Sequence, residues 1–504
     1  MILYGEGGTG KSRVIQTVTE AFVTKGVDYM LVKSAYTGVA ASLIDGKTTH
    51  TIAHLSIGSD GTISDDSKVV LQEFWRNRQY LIIDEFSMLA KTFLANLSNT
   101  VSVGKEGTPH RKDRFWGGIN VVLCGDLHQF PPVAKGASEA LFRPIGVRDS
   151  DDCALGRMTY EEFTTVVILK EQMRVTDEVW RKFLAHLRHG NVQPRHIDML
   201  RSLIINQRES PHTDFDSAPW SDASLVTPRH AVRKMWNAAA VRKWCRKSGE
   251  RLFVVGAEDS CKGRPLTVRE KYAVLMRNKD KRNRSHKKDL PEQIELAKGM
   301  KVMVTSNVET DLDVANGARG EIVDIVLHPD EPPLGPEPVV NLMKYLPAFV
   351  LVKLSRTRAT TLEGLGECVI PVEPMAMSMR IKVDLPGGMV GHRYVRRKQF
   401  PVTGAYAFTD YQSQGQTIPI VIVDMKTPPP PGTLSLFNLY VALSRSSGRS
   451  TIRLLRDFDP ELLLKQSHDP DLLAEDDRLE RLNEQTKAWW VEMGHCISRD
   501  PSSR

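Results

Sequence analysis

Apolar runs that end in glycine or carboxylate dominate the first third of the chain. Ile2–Tyr4 is a short apolar run, and Lys11–Phe22 carries Val14, Ile15, Val18 and Phe22 at helical spacing. Tyr29–Val32, Tyr80–Ile83 and Ile119–Leu123 read as further strands. Continuous apolar runs of this kind suit central strands of a parallel sheet, buried on both faces. Asp84-Glu85 and Gly125-Asp126 follow two of them directly. That places polar groups at the C-terminal edge of the sheet, where open α/β folds bind ligands.

The pattern then changes twice. Helical spacing runs through Asp177–Arg188 and His230–Arg246, and the basic run Asn278–Lys288 reads as a solvated loop. From Gly320 to about Arg397 the apolar runs are short, β-rich and separated by Pro/Gly loops, which predicts a small antiparallel β module. Alternating α/β character returns at Ile420–Val423 and Thr451–Leu455, so the β module reads as an insertion. Beyond Asp457 the chain is charged and helical, with Trp489 and Trp490 near its end.

Composition narrows the classes. A chain of 504 residues calls for two to four domains. With 41% hydrophobic and 26% charged residues, and no apolar run of membrane length, a globular chain is expected. The start, MILYGEGG, lacks a signal peptide's basic region and opens in a core strand, which suggests a fragment of a longer protein. Six cysteines form no CxxC pair, so reduced thiols are expected rather than a zinc framework. The net charge of +7 permits nucleic-acid binding without arguing for it.

Three stretches carry chemistry. Gly5-Glu6-Gly7-Gly8-Thr9-Gly10-Lys11-Ser12 fits the phosphate-binding loop GxxxxGK[ST] between a strand and a helix. Its backbone N–H groups can wrap a phosphate, Lys11 can reach the β/γ-phosphates of ATP, and Ser12 can hold Mg²⁺. Asp84 at a strand end suits the metal's shell, and Glu85 suits a base that orients the attacking water. Gln129, after a third strand, reads either as a neutral γ-phosphate sensor or as part of a plain turn into a proline-stiffened loop.

Taken in order, these blocks resemble the Pif-family DNA helicases, relatives of the RecD-type helicases of superfamily one. The matching stretches are GEGGTGKS, AYTGVAA (Ala35–Ala41), GKTTH (Gly46–His50), LIIDEFSML (Leu81–Leu89) and RFWGGINVVLCGDLHQFPPV (Arg114–Val133). They continue with LKEQMR (Leu169–Arg174), LVTPRH (Leu225–His230), Gly299–Ile322, AFTDYQSQGQTI (Ala407–Ile418) and LYVALSRS (Leu439–Ser446).

The resemblance implies an α/β fold with two RecA-like domains and ATP between them. The first would span 1–145, with a small insertion near 50–75. The second would span 146–319 and 398–460, a small β-barrel module 320–397, and a charged helical tail 461–504. Arg174 and Arg445 would touch the γ-phosphate, and Gln414, Gly415 and Gln416 would couple ATP to DNA. Tyr36, Thr37, Gly38, Thr49, His50, Thr227 and Ser413 match DNA-contact blocks. Phe130 and Trp116 read either as stacking or wedge residues or as core.

The implied activity is ATP-dependent translocation on single-stranded DNA, 5′-to-3′, with unwinding of forked DNA in repair, recombination or telomere maintenance. The resemblance further implies no membrane partner, a monomer in the absence of DNA, and residence in the nucleus or mitochondrion, or in the cytoplasm if not eukaryotic. Two other readings stand beside it: the helicase portion of a rolling-circle transposon protein, and an ATPase-deficient DNA-binding scaffold. Three features depart from the family pattern. The upstream segment that reads adenine is missing, Tyr411-Gln412 stands where relatives carry His-Lys, and Pro228-Arg229 stands for a Thr-Asn pair.

Overall fold

In the computed structural model the described residues are 1–53, 64–106, 115–132, 137–207, 210–279, 290–308, 314–335, 340–357, 361–384, 390–430, 432–465 and 467–494. The chain divides into two units, Met1–His230 with Phe408–Arg504, and Ala231–Ala407.

The first unit holds two parallel sheets. The larger has strands β1 (Ile2–Gly5), β2 (Leu31–Ala35), β3 (Lys47–Thr48), β4 (Tyr80–Asp84), β5 (Asn120–Gly125) and β6 (Val166–Leu169) in the order 3-2-4-5-1-6. Its neighbours all run parallel. Helices on both faces explain why β1 and β4 are apolar throughout: Ile2, Leu81 and Ile83 pack with Trp75, Leu97 and Val101, while Leu3 and Ile82 pack with Ile15, Ala40 and Ala41. Helix α1 (Lys11–Thr24) leaves β1 through the glycine loop, and α2 (Gly38–Leu43) follows β2. In the second sheet Val421–Val423 pairs in parallel with Ser224–Val226 and Ile452–Leu454. Its core is built on Trp180, Phe183, Leu436, Leu439 and Leu443. The expected α/β class with parallel sheets is therefore what the chain adopts.

The sequence alone gives 461–504 as a charged tail, but its helix Pro470–Glu492 is docked. Leu472 and Leu479 are fully buried in the core of the larger sheet. Asn483 Oδ1 and Thr486 Oγ1 accept the Ile168 and Val166 N–H groups of edge strand β6, each at 3.0 Å. Glu475, buried, accepts the Tyr160 hydroxyl at 2.9 Å and pairs with Arg157 and Arg478.

The second unit is antiparallel in its larger sheets. One joins Val369–Val372, Phe349–Leu354, Arg319–Val326, Lys301–Val304 and Val402–Gly404 in that order. Another joins Arg264–Pro265, Glu258–Cys261, Val390–Gln399 and Met375–Asp384. The unit reaches beyond 320–397 on both sides because Lys301–Val304 bonds to Arg319–Val326 on one edge and to Val402–Gly404 on the other. Most of the basic run, 280–288, lies outside the described residues, as does part of the 50–75 insertion.

Candidate nucleotide site

The site begins at the C-terminal ends of β1 and β4. Gly5 ends β1, and the loop turns through Gly8 in the left-handed region (φ 97°) before Gly10 caps α1. A side chain at Gly8 would be strained, and its Cβ would lie 2.4 Å from Gln172 Oε1. Helix α1 has no side-chain cap and no acidic residue in its first turn, so its N–H groups and dipole face the loop. Thr9 Oγ1 donates to the Glu6 carbonyl at 2.9 Å, and Lys11 Nζ donates to the carbonyls of Gly5 at 2.6 Å and Glu6 at 2.9 Å. Ser12, next in the helix, is exposed.

The carboxylates come from β4. Asp84 and Glu85 are both buried, and Glu85 adopts a left-handed backbone (φ 55°, ψ 44°) that turns it out of the strand. Burial, reinforced by the Glu85 carboxylate, pushes the Asp84 carboxyl up to about 7, against the pull of Lys11. Gln414 Nε2 donates to Glu85 Oε2 at 2.9 Å, and a Cβ at Gly415 would lie 3.4 Å from Glu85 Oε1. The sequence-predicted coupling residues thus touch the predicted base directly.

Two arginines and an amide close the site. A Cβ added to Gly7 would lie 3.3 Å from Arg445 Nη2, 3.4 Å from Gln129 Nε2 and 3.5 Å from Arg174 Nη1. Arg445 is buried; it donates to the carbonyls of Val441 (2.7 Å) and Gln416 (2.9 Å) and to Ser444 Oγ (2.8 Å). Arg174 donates to the Ser444 carbonyl at 3.1 Å. Among the described residues neither guanidinium has a carboxylate partner at ion-pair distance, and Gln129 Oε1 and Arg174 Nε are buried with no hydrogen bond. Burial, and then the neighbouring Arg174 charge, pull Arg445 down to about 9. Two adjacent cations, Arg445 buried and Arg174 half-buried, neither in an ion pair among the described residues, make a cradle for a multiply charged anion.

The comparisons with known proteins bear on this geometry. The pattern of the PIF1-like helicase family matches residues 1–191, which contain the glycine loop, Asp84, Glu85, Gln129 and Arg174. Over these residues the chain resembles that family. It is 25% identical over 462 residues to the ATP-dependent DNA helicase PIF1 of Xenopus laevis, a match covering 91% of this chain and 59% of that protein. The chain spans about three fifths of the length of the curated relatives it matches. Its fold is similar to that of the Candida albicans Pif1 helicase, with a TM-score of 0.60 at 23% identity, covering 95% of each chain. It is also similar to a Bacteroides Pif1 helicase in complex with ADP-AlF3 and ssDNA, with a TM-score of 0.56 at 19% identity, covering 95% of this chain and 93% of the other.

The DNA-contact candidates fall into two groups. Tyr36, half-buried, lies edge-on to the exposed His50 at 5.3 Å, and Phe93 completes the cluster at 4.8 Å from His50. Thr37 caps α2 by accepting the Ala40 N–H at 3.2 Å, and Gly38 opens that helix. Thr49, Thr227 and Ser413, by contrast, are fully buried. Thr227 Oγ1 donates to Asp424 at 3.0 Å and Ser413 Oγ to the Asp410 carbonyl at 2.6 Å, so both hydroxyls already serve the fold. Phe130 and Trp116 are core residues. Phe130 stacks under the half-exposed Tyr411, ring centroids 4.0 Å apart and 19° between planes.

Two residues went unnoticed in the sequence. Gln172 sits within the matched LKEQMR block; its Nε2 donates to the Gly7 carbonyl at 3.1 Å and its Oε1 accepts the Arg174 N–H at 3.1 Å. It braces the loop against the arginine. Asp126 is fully buried and accepts from Gln129 Nε2 (3.3 Å), the His128 N–H (3.1 Å) and the Arg188 guanidinium. Its place after a strand was visible, but Arg188 lies 62 positions away and no local spacing connects the two.

Proposed function

We propose that the chain is an ATP-driven motor on single-stranded DNA that unwinds forked DNA, moving 5′-to-3′. The convergence of Gln129, Arg174 and Arg445 on Gly7 carries this reading. Three donors from separate segments surround one point of a phosphate-binding loop, which suits a γ-phosphate and little else.

In this reading the N–H groups of residues 7–12 and Lys11 hold the ATP phosphates. Ser12 and Asp84 are the Mg²⁺ donors, and the raised Asp84 carboxyl fits a cation that would displace its proton. Mg²⁺, when bound, offsets charge on the β- and γ-phosphates. Glu85 orients a water and takes its proton as the water oxygen bonds to the γ-phosphorus and the bond to the β,γ-bridging oxygen breaks. Arg174 and Arg445 stabilise the charge on the departing groups. Gln414 holds Glu85, so a shift of the segment 410–416 on binding DNA would move the base. Tyr36, His50 and Tyr411 offer faces for bases, each worth roughly 1–3 kcal/mol, without sequence preference. Thr37, Gly38, Thr49, Thr227 and Ser413 shape that track, the buried three through backbone placement.

A monomeric chain without DNA, and residence in the nucleus or mitochondrion, belong to the same proposal. No described helix is long and apolar enough to cross a membrane. The relatives named as ATP-dependent DNA helicases, and the Bacteroides complex with ADP-AlF3 and ssDNA, support the reading.

The test is steady-state ATP hydrolysis with and without single-stranded DNA. Strong stimulation by DNA, lost in Glu85→Gln, is the expected outcome. Hydrolysis indifferent to DNA, or undiminished in Glu85→Gln, would sink the coupling.

A further inference from the structure

Behind the phosphate-sensing turn lies a cluster that the proposed motor chemistry does not use. His128 and Asp476 meet at 2.6 Å, and donor atoms of His128, His189 and Asp476 all lie within 4.8 Å of one another. A fourth group, His468, has its ring 4.9 Å from that of His128. The four come from separate elements. His128 adjoins Gln129, His189 is the C-cap of helix Glu178–Arg188, His468 precedes the helix Pro470–Glu492, and Asp476 lies within it.

We propose that His128, His189 and Asp476, with His468 beside them, bind a transition-metal ion of the zinc class and tie these elements together. Two imidazoles and one carboxylate within reach of one another, with His468 beside them, are the donor set of such an ion rather than of Mg²⁺ or Ca²⁺. Among the described residues, His128 Nδ1 and His468 Nε2 are buried and make no hydrogen bond. Leaving polar atoms dry costs free energy, which coordination would offset. The Tyr4 hydroxyl donates to Asp476 Oδ1 at 3.0 Å, an outer-shell bond that orients the carboxylate. The C-terminus of an 11-residue helix favours a cation at His189.

The charges nearby are compatible with this. Arg188, the cation beside the cluster, is already paired with the buried Asp126. Burial first, then the charge of Arg188, holds His128 below its ordinary value. Burial and the neighbouring His128 and Arg188 hold His468 at about 4. Donors in a tetrahedral zinc site lie about 3.4 Å apart. The 2.6 Å His128–Asp476 pair would open to admit the ion, and the exposed His189 side chain would turn inward to reach it.

Titration of the full, untagged chain with Zn²⁺ alone, without nucleotide or Mg²⁺, tests the proposal. One ion per chain is expected, its affinity falling at least tenfold in His189→Ala and in Asp476→Asn. His189→Ala is a surface change that does not threaten folding. Co²⁺ in place of zinc should give visible absorption that His189→Ala removes. His186→Ala, in the separate His186–His196 pair (ring centroids 4.9 Å apart), should leave binding intact. No binding below roughly 0.1 mM, or binding lost in Asp84→Asn but not in His189→Ala, would overturn the assignment; the latter would move the ion to the nucleotide site.

Discussion

Arg445 and Arg188 are both buried in the first unit, yet their surroundings are opposite. Arg188 donates to the fully buried Asp126 and to the Tyr4 hydroxyl, and Asp126 overrides the cost of burial and moves its pKa upward. Arg445 is tied to carbonyls and a hydroxyl, faces another arginine, and its pKa is pulled down to about 9. A buried guanidinium with a carboxylate is a structural element. A buried guanidinium without one can take an anion that arrives from outside, the part that the proposed function gives Arg445. The two look alike in sequence, an arginine at or just past the C-terminal end of a helix, and the counter-charge sets them apart.

That contrast predicts different failures. Arg445→Ala should lower kcat for ATP hydrolysis by about 10³-fold or more while leaving the melting temperature unchanged or raised. Arg445→Lys should restore little, because a point charge cannot reproduce the planar fork. A large drop in melting temperature with near-normal kcat would reverse the assignment. Arg188→Ala should instead destabilise the first unit by about 3–5 kcal/mol, because Asp126 is left buried and unpaired. Removing both charges in Arg188→Met/Asp126→Leu should recover part of that loss in a denaturant titration.

The smallest effect belongs to a pair that is neither buried nor catalytic. Asp177 caps the helix Glu178–Arg188 and accepts from Arg449 Nε at 2.7 Å. Burial alone would raise its pKa, but the Arg449 guanidinium and the N–H groups of Arg449 and Trp180 hold it at about 2. A depressed carboxyl contributes stability that is full above its unfolded value near 4 and fades as the pH falls toward 2. Asp177→Asn should therefore cost about 1 kcal/mol at pH 7, after allowance for solvent screening, and progressively less below pH 4. Equal losses at pH 7 and pH 2.5 in urea unfolding would exclude this linkage.

The sequence was most legible where chemistry and backbone geometry coincide. The glycine loop, Asp84-Glu85 and Gln129 follow apolar strands at fixed offsets, and a parallel sheet places all strand ends on one edge. Arg174, Arg445 and Gln414 were reachable only through the family's block order. The distances from Arg445 to Gly7 and from Gln414 to Glu85 bridge more than 300 residues. Thr227 and Ser413 illustrate the limit of that route. A motif transfers a position but not its exposure, and both hydroxyls turn inward to bond Asp424 and the Asp410 carbonyl. The docking of the C-terminal helix was hidden for a related reason. The segment reads as a charged helical tail, and its docking rests on Glu475, Asp476 and Asn483 meeting partners on distant elements, which no periodicity reveals.

The bonds from Asn483 and Thr486 to β6 also bear on what an exposed sheet edge can recruit. An outer strand normally offers a ladder of open N–H groups on which another chain can stack. Here two side chains of the closing helix occupy the rungs at Val166 and Ile168. A chain ending before Pro470 would present that ladder bare, next to the apolar surface that Leu472 and Leu479 now cover. The last helix thus acts as a guard against sheet-to-sheet growth, and its loss should show first as clumping rather than as a slower motor.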